Sequence, residues 1–406
     1  MSSDDPNSLS ALLARPWQEF RDVGGARTEL LGIDASPGKS LMSWQRGTAP
    51  FTRASPAPSP DLPPRRARTG PARLQVLVVP GNPGSAALYA PFMSFLHAQL
   101  GGHADILAAS HAGHDGFSHH NGQVWDLAEQ VAHKAALLRQ VALLPGRPPL
   151  LVVAHSIGAA MMLKAIAEVE AKPPPAADCT GGAVAVGAGA AAAASAPAIL
   201  KLVAVFPFLE AVPESNPRQA SIRRVASWHG RLGWLGDLLA AMPRALLARC
   251  LRMGSDMAAG TAKAIAARLN RSTLRNALYL ATDEFKELSQ PWPWPQLASG
   301  LGHRLHVMGC DEDTWLSRAQ YEELRQRVPG LQATWHSELR HDFCVSEAQS
   351  RTVAEHISGI ARGGLAELPG GGRAVDGQRA AAAAAAEAVD AGCEGLAAEA
   401  EALCRL

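Results

Sequence analysis

Six cysteines are scattered through 406 residues, at positions 179, 250, 310, 344, 393 and 404, and none of the spacings forms a C-x-x-C pair. A chain of this length needs no covalent staples, so the scatter argues against a disulfide framework and predicts reduced thiols in an intracellular compartment. Charge is also scarce: 18% of residues are charged, the net charge is +1, and no Lys/Arg block is long enough to track a phosphate backbone. Nucleic acid is therefore not an expected partner. No charge-free run of eighteen apolar residues occurs outside the weakly apolar Gly/Ala stretch 181–200, so no spanning helix is indicated. The opening Met1-Ser2-Ser3-Asp4-Asp5 is acidic and leads into no apolar segment, unlike a secretory signal or a transit peptide. What the chain does have is 47% apolar residues, enough for one large core or two.

Those residues come in alternating blocks. After an arm over 1–16, Trp17 to Val23 and Thr28 to Ile33 read as two strands joined at Gly24-Gly25. Residues 47–73 hold seven prolines, with four arginines between 53 and 68, and predict a solvated loop. Near-continuous apolar runs follow at Leu74 to Val79, Ala104 to Ala109, Leu150 to Val153 and Lys201 to Phe206, with helical patterns around Tyr89 to Leu96 and Trp125 to Val141. Strand-helix repetition of this kind predicts an α/β fold: a mostly parallel central sheet with helices on both faces. Residues 171–199 interrupt the rhythm as a low-complexity insertion, and 208–300 predicts a helical cap. Strands at Arg304 to Met308 and Leu331 to His336 flank a helix over Ser317 to Val328, and an Ala-rich tail occupies 365–406.

The chemistry centres on Ala154-His155-Ser156-Ile157-Gly158, placed between an apolar strand and a helix. That context is what a nucleophile turn of G-x-S-x-G type requires, with Ala in place of the first Gly. A serine hydroxyl needs a histidine to take its proton, and the histidine needs a carboxylate to hold its tautomer. In the α/β-hydrolase arrangement these follow in the order Ser, acid, His at strand ends, and Asp313 and His341 occupy those places, with Asp311 as the alternative acid. Backbone donors for an oxyanion are expected from Asn82, in Pro80-Gly81-Asn82-Pro83-Gly84, and from Ile157.

The motifs Pro80-Gly81-Asn82-Pro83-Gly84, His111-Ala112-Gly113-His114, His155-Ser156-Ile157-Gly158, Asn276-Ala277-Leu278-Tyr279, Asp313-Thr314-Trp315 and His341-Asp342-Phe343 appear in an order that resembles the lipid droplet-associated hydrolase family over about 17–360. The resemblance implies an α/β-hydrolase fold and a serine esterase at the cytosolic side of lipid droplets and the endoplasmic reticulum. Sterol esters or acylglycerols are its implied substrates, and Ser156, Asp313 and His341 its implied catalytic residues. The chain departs from the family pattern at Ala154, in one additional residue between Gly309 and Asp313, and in the insertion and tail. A protein that uses the same fold only to bind or organise lipid is the alternative.

No cofactor or metal is expected. The group His111, His114, His119, His120 and Asp115 lacks the helical i, i+4 face of a metal pair and predicts a loop near the mouth of the site. Cys344 is expected to pack rather than react. Within the cap, residues 222–252 interleave Trp228, Trp234, Leu238, Leu239, Leu246 and Leu247 with arginines. That pattern predicts docking on a lipid surface through two helices broken at Pro243.

Overall fold

The computed structural model describes residues 13–35, 72–118, 120–172, 197–290 and 301–366. Most of the Pro/Arg-rich loop, the low-complexity insertion and the Ala-rich tail lie outside these residues, as do His119, Cys179, Cys393 and Cys404. Eight strands form one sheet: β1 (Trp17–Val23), β2 (Ala26–Ile33), β3 (Leu74–Val79), β4 (Ala104–Ala109), β5 (Leu150–His155), β6 (Ile199–Val205), β7 (Leu305–Glu312) and β8 (Gln332–Arg340). Their order is β1-β2-β4-β3-β5-β6-β7-β8. The pairs β1/β2 and β2/β4 are antiparallel and all the others parallel. Gly24 and Gly25 take φ of +57° and +82°, the left-handed geometry a two-residue hairpin turn demands.

Helices α1 (Ala90–Gln99), α2 (Leu127–Leu137) and α3 (Ile157–Ala171) alternate with the early strands, and α4 (Pro217–Ala226), α5 (His229–Ala241), α6 (Arg244–Arg252), α7 (Ala259–Arg268) and α8 (Arg271–Glu287) fall between β6 and β7. Then α9 (Arg318–Arg327) precedes β8 and α10 (Glu347–Ala366) follows it. The α2 pattern starts two residues later than Trp125 because Asp126 forms a reciprocal capping box with Glu129. Pro243 separates α5 from α6, as a residue without an amide hydrogen should.

The strand period of two divides the core into two layers. Val152 and Ala154 of β5 join Leu77 and Val79 of β3 in the layer under α2, α3 and α9. Leu151 and Val153 face the other way, with Val76 and Val78, into the layer under α1 and α10. Both faces of β3 and β5 are buried, which explains their continuous apolar sequences and places the ends of these strands at the centre of one sheet edge.

A buried ion pair fastens the cap to this frame. Arg268, at the end of α7, bonds both carboxylate oxygens of Glu29 on β2, which also accepts from Gln18 and from the Ser110 hydroxyl. Asn270, the N-cap of α8, donates to the Gly116 carbonyl at 2.7 Å. The loop after β4 is thus held by the cap.

Candidate active site

Ser156 sits at the turn from β5 into α3 with φ +53° and ψ −126°, a conformation that few side-chain-bearing residues adopt. Its N–H donates to the Val205 carbonyl of β6 at 3.1 Å, so the neighbouring strand holds the strained residue in place. Gly158 is required by contact: a Cβ there would lie 2.4 Å from the Pro80 carbonyl oxygen. Ala154 meets no such obstacle. It pairs with Val79 and Ala204 and contributes its methyl to the core layer under α3, so the turn accepts Ala where the usual motif has Gly.

Three residues far apart in sequence converge here. His341 Nε2 is 3.1 Å from Ser156 Oγ, and His341 Nδ1 is 2.9 Å from Asp313 Oδ1. Asp313 follows β7 directly, its side chain is fully buried, and Oδ1 also accepts the Trp315 N–H at 2.7 Å. The loop is gripped from the cap, since Asn216 and Gln219 at the start of α4 both donate to the Thr314 carbonyl. Asp311 is placed elsewhere: it lies exposed near the end of strand β7 and accepts the Trp335 indole N–H. β7 runs to Glu312 and β8 to Arg340, both beyond their apolar sequence runs, so that Asp313 and His341 are the residues immediately after their strands.

The loop after β3 leans on the serine turn. A Cβ on Gly81 would lie 2.7 Å from Ser156 Cβ, so only glycine allows this approach. Asn82 is next in the chain, and its side-chain amide donates to the Ala277 carbonyl at 2.8 Å and to Glu284 at 3.2 Å, both on α8. Burial raises the Glu284 carboxyl to about 8, so it is a neutral acid at pH 7. Ile157 is the first residue of α3, and its N–H has no acceptor within the helix.

A second network was not legible in the sequence. The Tyr89 hydroxyl accepts the Gly81 N–H at 2.9 Å and lies 2.6 Å from His155 Nδ1, while His155 Nε2 lies 2.9 Å from the His341 carbonyl. A carbonyl only accepts, so Nε2 carries the proton, Nδ1 accepts, and the Tyr89 hydroxyl donates. Burial, and then the neighbouring His341, hold the His155 imidazole well below its usual range and keep it neutral. One short chain of hydrogen bonds therefore joins the loops of Gly81, Ser156 and His341. The only local signal was that His155 and Tyr89 are polar residues in otherwise apolar blocks.

Phe343 is fully buried and packs against His155, Phe206, Phe92 and Tyr89, anchoring the histidine loop on the α1 layer. Cys344 is buried beside it with its thiol pushed up to about 12 by burial, as a packing residue should be. His111 and His114 lie on the loop after β4, beside the loop that carries Asn82. Both are fully enclosed, because the loop packs onto residues 83–84: the His111 N–H donates to the Gly84 carbonyl and the His114 ring bonds the Pro83 carbonyl. Burial lowers His114 to about 4.

The sequence profile of the family described as lipid-droplet associated hydrolase matches residues 72–344. A lipid droplet-associated hydrolase of Dictyostelium discoideum is 22% identical over 302 residues, covering 71% of this chain and 87% of that protein. The human lipid droplet-associated hydrolase is 29% identical over 115 residues, 25% of this chain, and the match spans 35% of the human protein's length. Among solved structures, a soluble variant of monoglyceride lipase from Saccharomyces cerevisiae superposes with a TM-score of 0.51 at 10% identity, covering 86% of this chain and 96% of that one. At that identity the likeness shows the α/β-hydrolase fold alone.

Proposed function

The chain belongs to the lipid-droplet associated hydrolase family, and from that premise we propose that it is a serine esterase that cleaves hydrophobic acyl esters, sterol esters or acylglycerols, through an acyl-enzyme. The observation that carries this reading is the continuous arrangement of Ser156 Oγ, His341 and buried Asp313. His341 Nε2 takes the hydroxyl proton as Ser156 Oγ attacks the ester carbonyl carbon. Asp313 holds the Nδ1–H tautomer and stabilises the imidazolium that forms. The carbonyl oxygen becomes an oxyanion, for which the N–H groups of Ile157 and Asn82 are the assigned donors. Collapse returns the proton to the departing alcohol, and water, deprotonated by the same histidine, then releases the acid.

The reading extends to where the enzyme works. No helix among the described residues is long and apolar enough to cross a membrane, but the cap exposes large apolar side chains at Val225, Trp228, Trp234, Leu238, Leu246 and Met253. Arg224, Arg231, Arg249 and Arg252 are exposed on the same helices and suit the headgroup level. Leu239 and Leu247 of the expected docking set face inward, in a small cluster between α6 and α7. Each large apolar side chain that leaves water contributes about 1.5–3 kcal/mol, so three or four are enough to hold the cap on lipid. We place the protein on the cytosolic side of lipid droplets and the endoplasmic reticulum, with the cap toward the lipid. The test is hydrolysis of long-chain cholesteryl and glyceryl esters presented as emulsions: turnover by the native protein and none by Ser156→Ala supports the reading, and equal turnover by both refutes it.

A further inference from the structure

We infer that His336, Glu338 and His356 form a binding site for a zinc-type divalent cation, separate from the Ser156 arrangement. His336 and Glu338 stand two residues apart on β8, and His356 comes from α10. Glu338 Oε1 is 3.5 Å from His336 Nδ1 and 3.6 Å from His356 Nε2, and the three donor atoms all lie within 4.8 Å of one another. In a tetrahedral zinc site with bonds of about 2.0–2.1 Å, neighbouring donors are separated by about 3.3–3.4 Å, so small side-chain adjustments bring these atoms into place.

The surroundings prepare the donors. The Thr334 hydroxyl is 3.1 Å from His336 Nε2, so a proton on that nitrogen has an acceptor when Nδ1 binds the ion. Among the described residues Glu338 pairs with no Lys or Arg, so its carboxylate is not already neutralised by a fixed cation. The two imidazole rings lie with centroids 4.1 Å apart, tilted 50° to each other, close enough for both to reach one ion. The pairing β7/β8 shifts register between Cys310 and Glu312: five residues of β8, His336 to Arg340, lie opposite three of β7. Such a bulge bends the strand and re-aims its side chains, here in the segment that carries both strand donors. Two imidazoles and one carboxylate select Zn²⁺, and with it Co²⁺, Ni²⁺ and Cu²⁺, over Mg²⁺ and Ca²⁺. Three protein ligands leave one position for water. An ion here would clamp α10 to β8, five residues before His341.

The experiment uses the full chain, stripped with a chelator and dialysed, and titrated with ZnCl₂ by calorimetry and with CoCl₂ by absorption. One equivalent of zinc should bind and raise Tm, MgCl₂ should do neither, and bound cobalt should show d–d bands without a thiolate charge-transfer band. His356→Ala and Glu338→Gln alter partly exposed side chains and should each weaken zinc binding at least tenfold, whereas Cys250→Ser should not change it. Zinc affinity unchanged in the His356→Ala/Glu338→Gln double variant, a thiolate band in the cobalt complex, or no zinc binding by the native chain would each overturn the assignment.

Discussion

Tyr89 and His155 share a 2.6 Å hydrogen bond whose direction is fixed by what each already holds: the hydroxyl accepts from Gly81 and the imidazole gives its only proton to the His341 carbonyl. Tyr89→Phe removes a donor and an acceptor at once and leaves two buried groups unpaired. Each such group costs about 1–3 kcal/mol, so chemical denaturation should show a loss of that order. Because the bond positions the Gly81 loop and the histidine loop together, kcat should fall about tenfold, equivalent to about 1.4 kcal/mol, with little change in KM. A variant with native stability and native kcat would show that the link positions nothing.

The two candidate acids are separated by what they touch. Asp313 faces His341 Nδ1 from a fully buried position, while Asp311 is exposed and serves the Trp335 indole. Asp313→Asn should reduce kcat by about 10⁴, the scale of losing the tautomer-holding carboxylate, and Asp311→Asn should leave it within a few fold. Steady-state hydrolysis of a soluble short-chain ester reads both. The reverse ranking would move the acid to Asp311.

Glu284 makes stability pH-dependent. Its carboxyl is raised from 4.5 to about 8 by burial, so between those values the folded protein holds a proton that the unfolded chain has released. Its contribution is complete below about pH 4.5 and is lost as the pH rises through about 8. Tm of the native protein should therefore fall relative to that of Glu284→Gln as pH is raised from 5 to 9, measured pairwise so that other groups cancel. Parallel curves would mean that Glu284 is ionised in the folded state.

The exposed apolar side chains of the cap predict lipid adsorption. Replacing Trp228, Trp234, Leu238 and Leu246 together by Ser leaves the inward-facing Leu239 and Leu247 in place. The variant should keep native circular dichroism and soluble-ester turnover while losing flotation with triacylglycerol droplets. Flotation equal to that of the native protein would exclude this face as the anchor.

Much of this arrangement follows from short-range patterns. The runs 74–79 and 150–155 are apolar apart from Gln75 and His155 because both faces of those strands are covered, and the small residues around Ser156 mark the turn. The order of Asp313 and His341 after Ser156 was equally readable. The ends of β7 and β8 were not, because Asp311, Glu312, Ser337 and Glu338 are exposed or polar on strands at or next to the sheet edge, where no alternation marks them. Nor was the Tyr89–His155 link, whose members are 66 residues apart and meet only in the folded chain. The inward turn of Leu239 and Leu247 likewise depends on how α5 and α6 meet α7.

The most direct test of the proposed esterase is covalent labelling with a fluorophosphonate, read by intact mass and by peptide mapping. The native protein should gain one phosphonyl group on Ser156, at a rate that falls by orders of magnitude in His341→Ala, and Ser156→Ala should gain none. Labelling of folded Ser156→Ala at the native rate, or modification mapped to a different serine, would contradict the assignment.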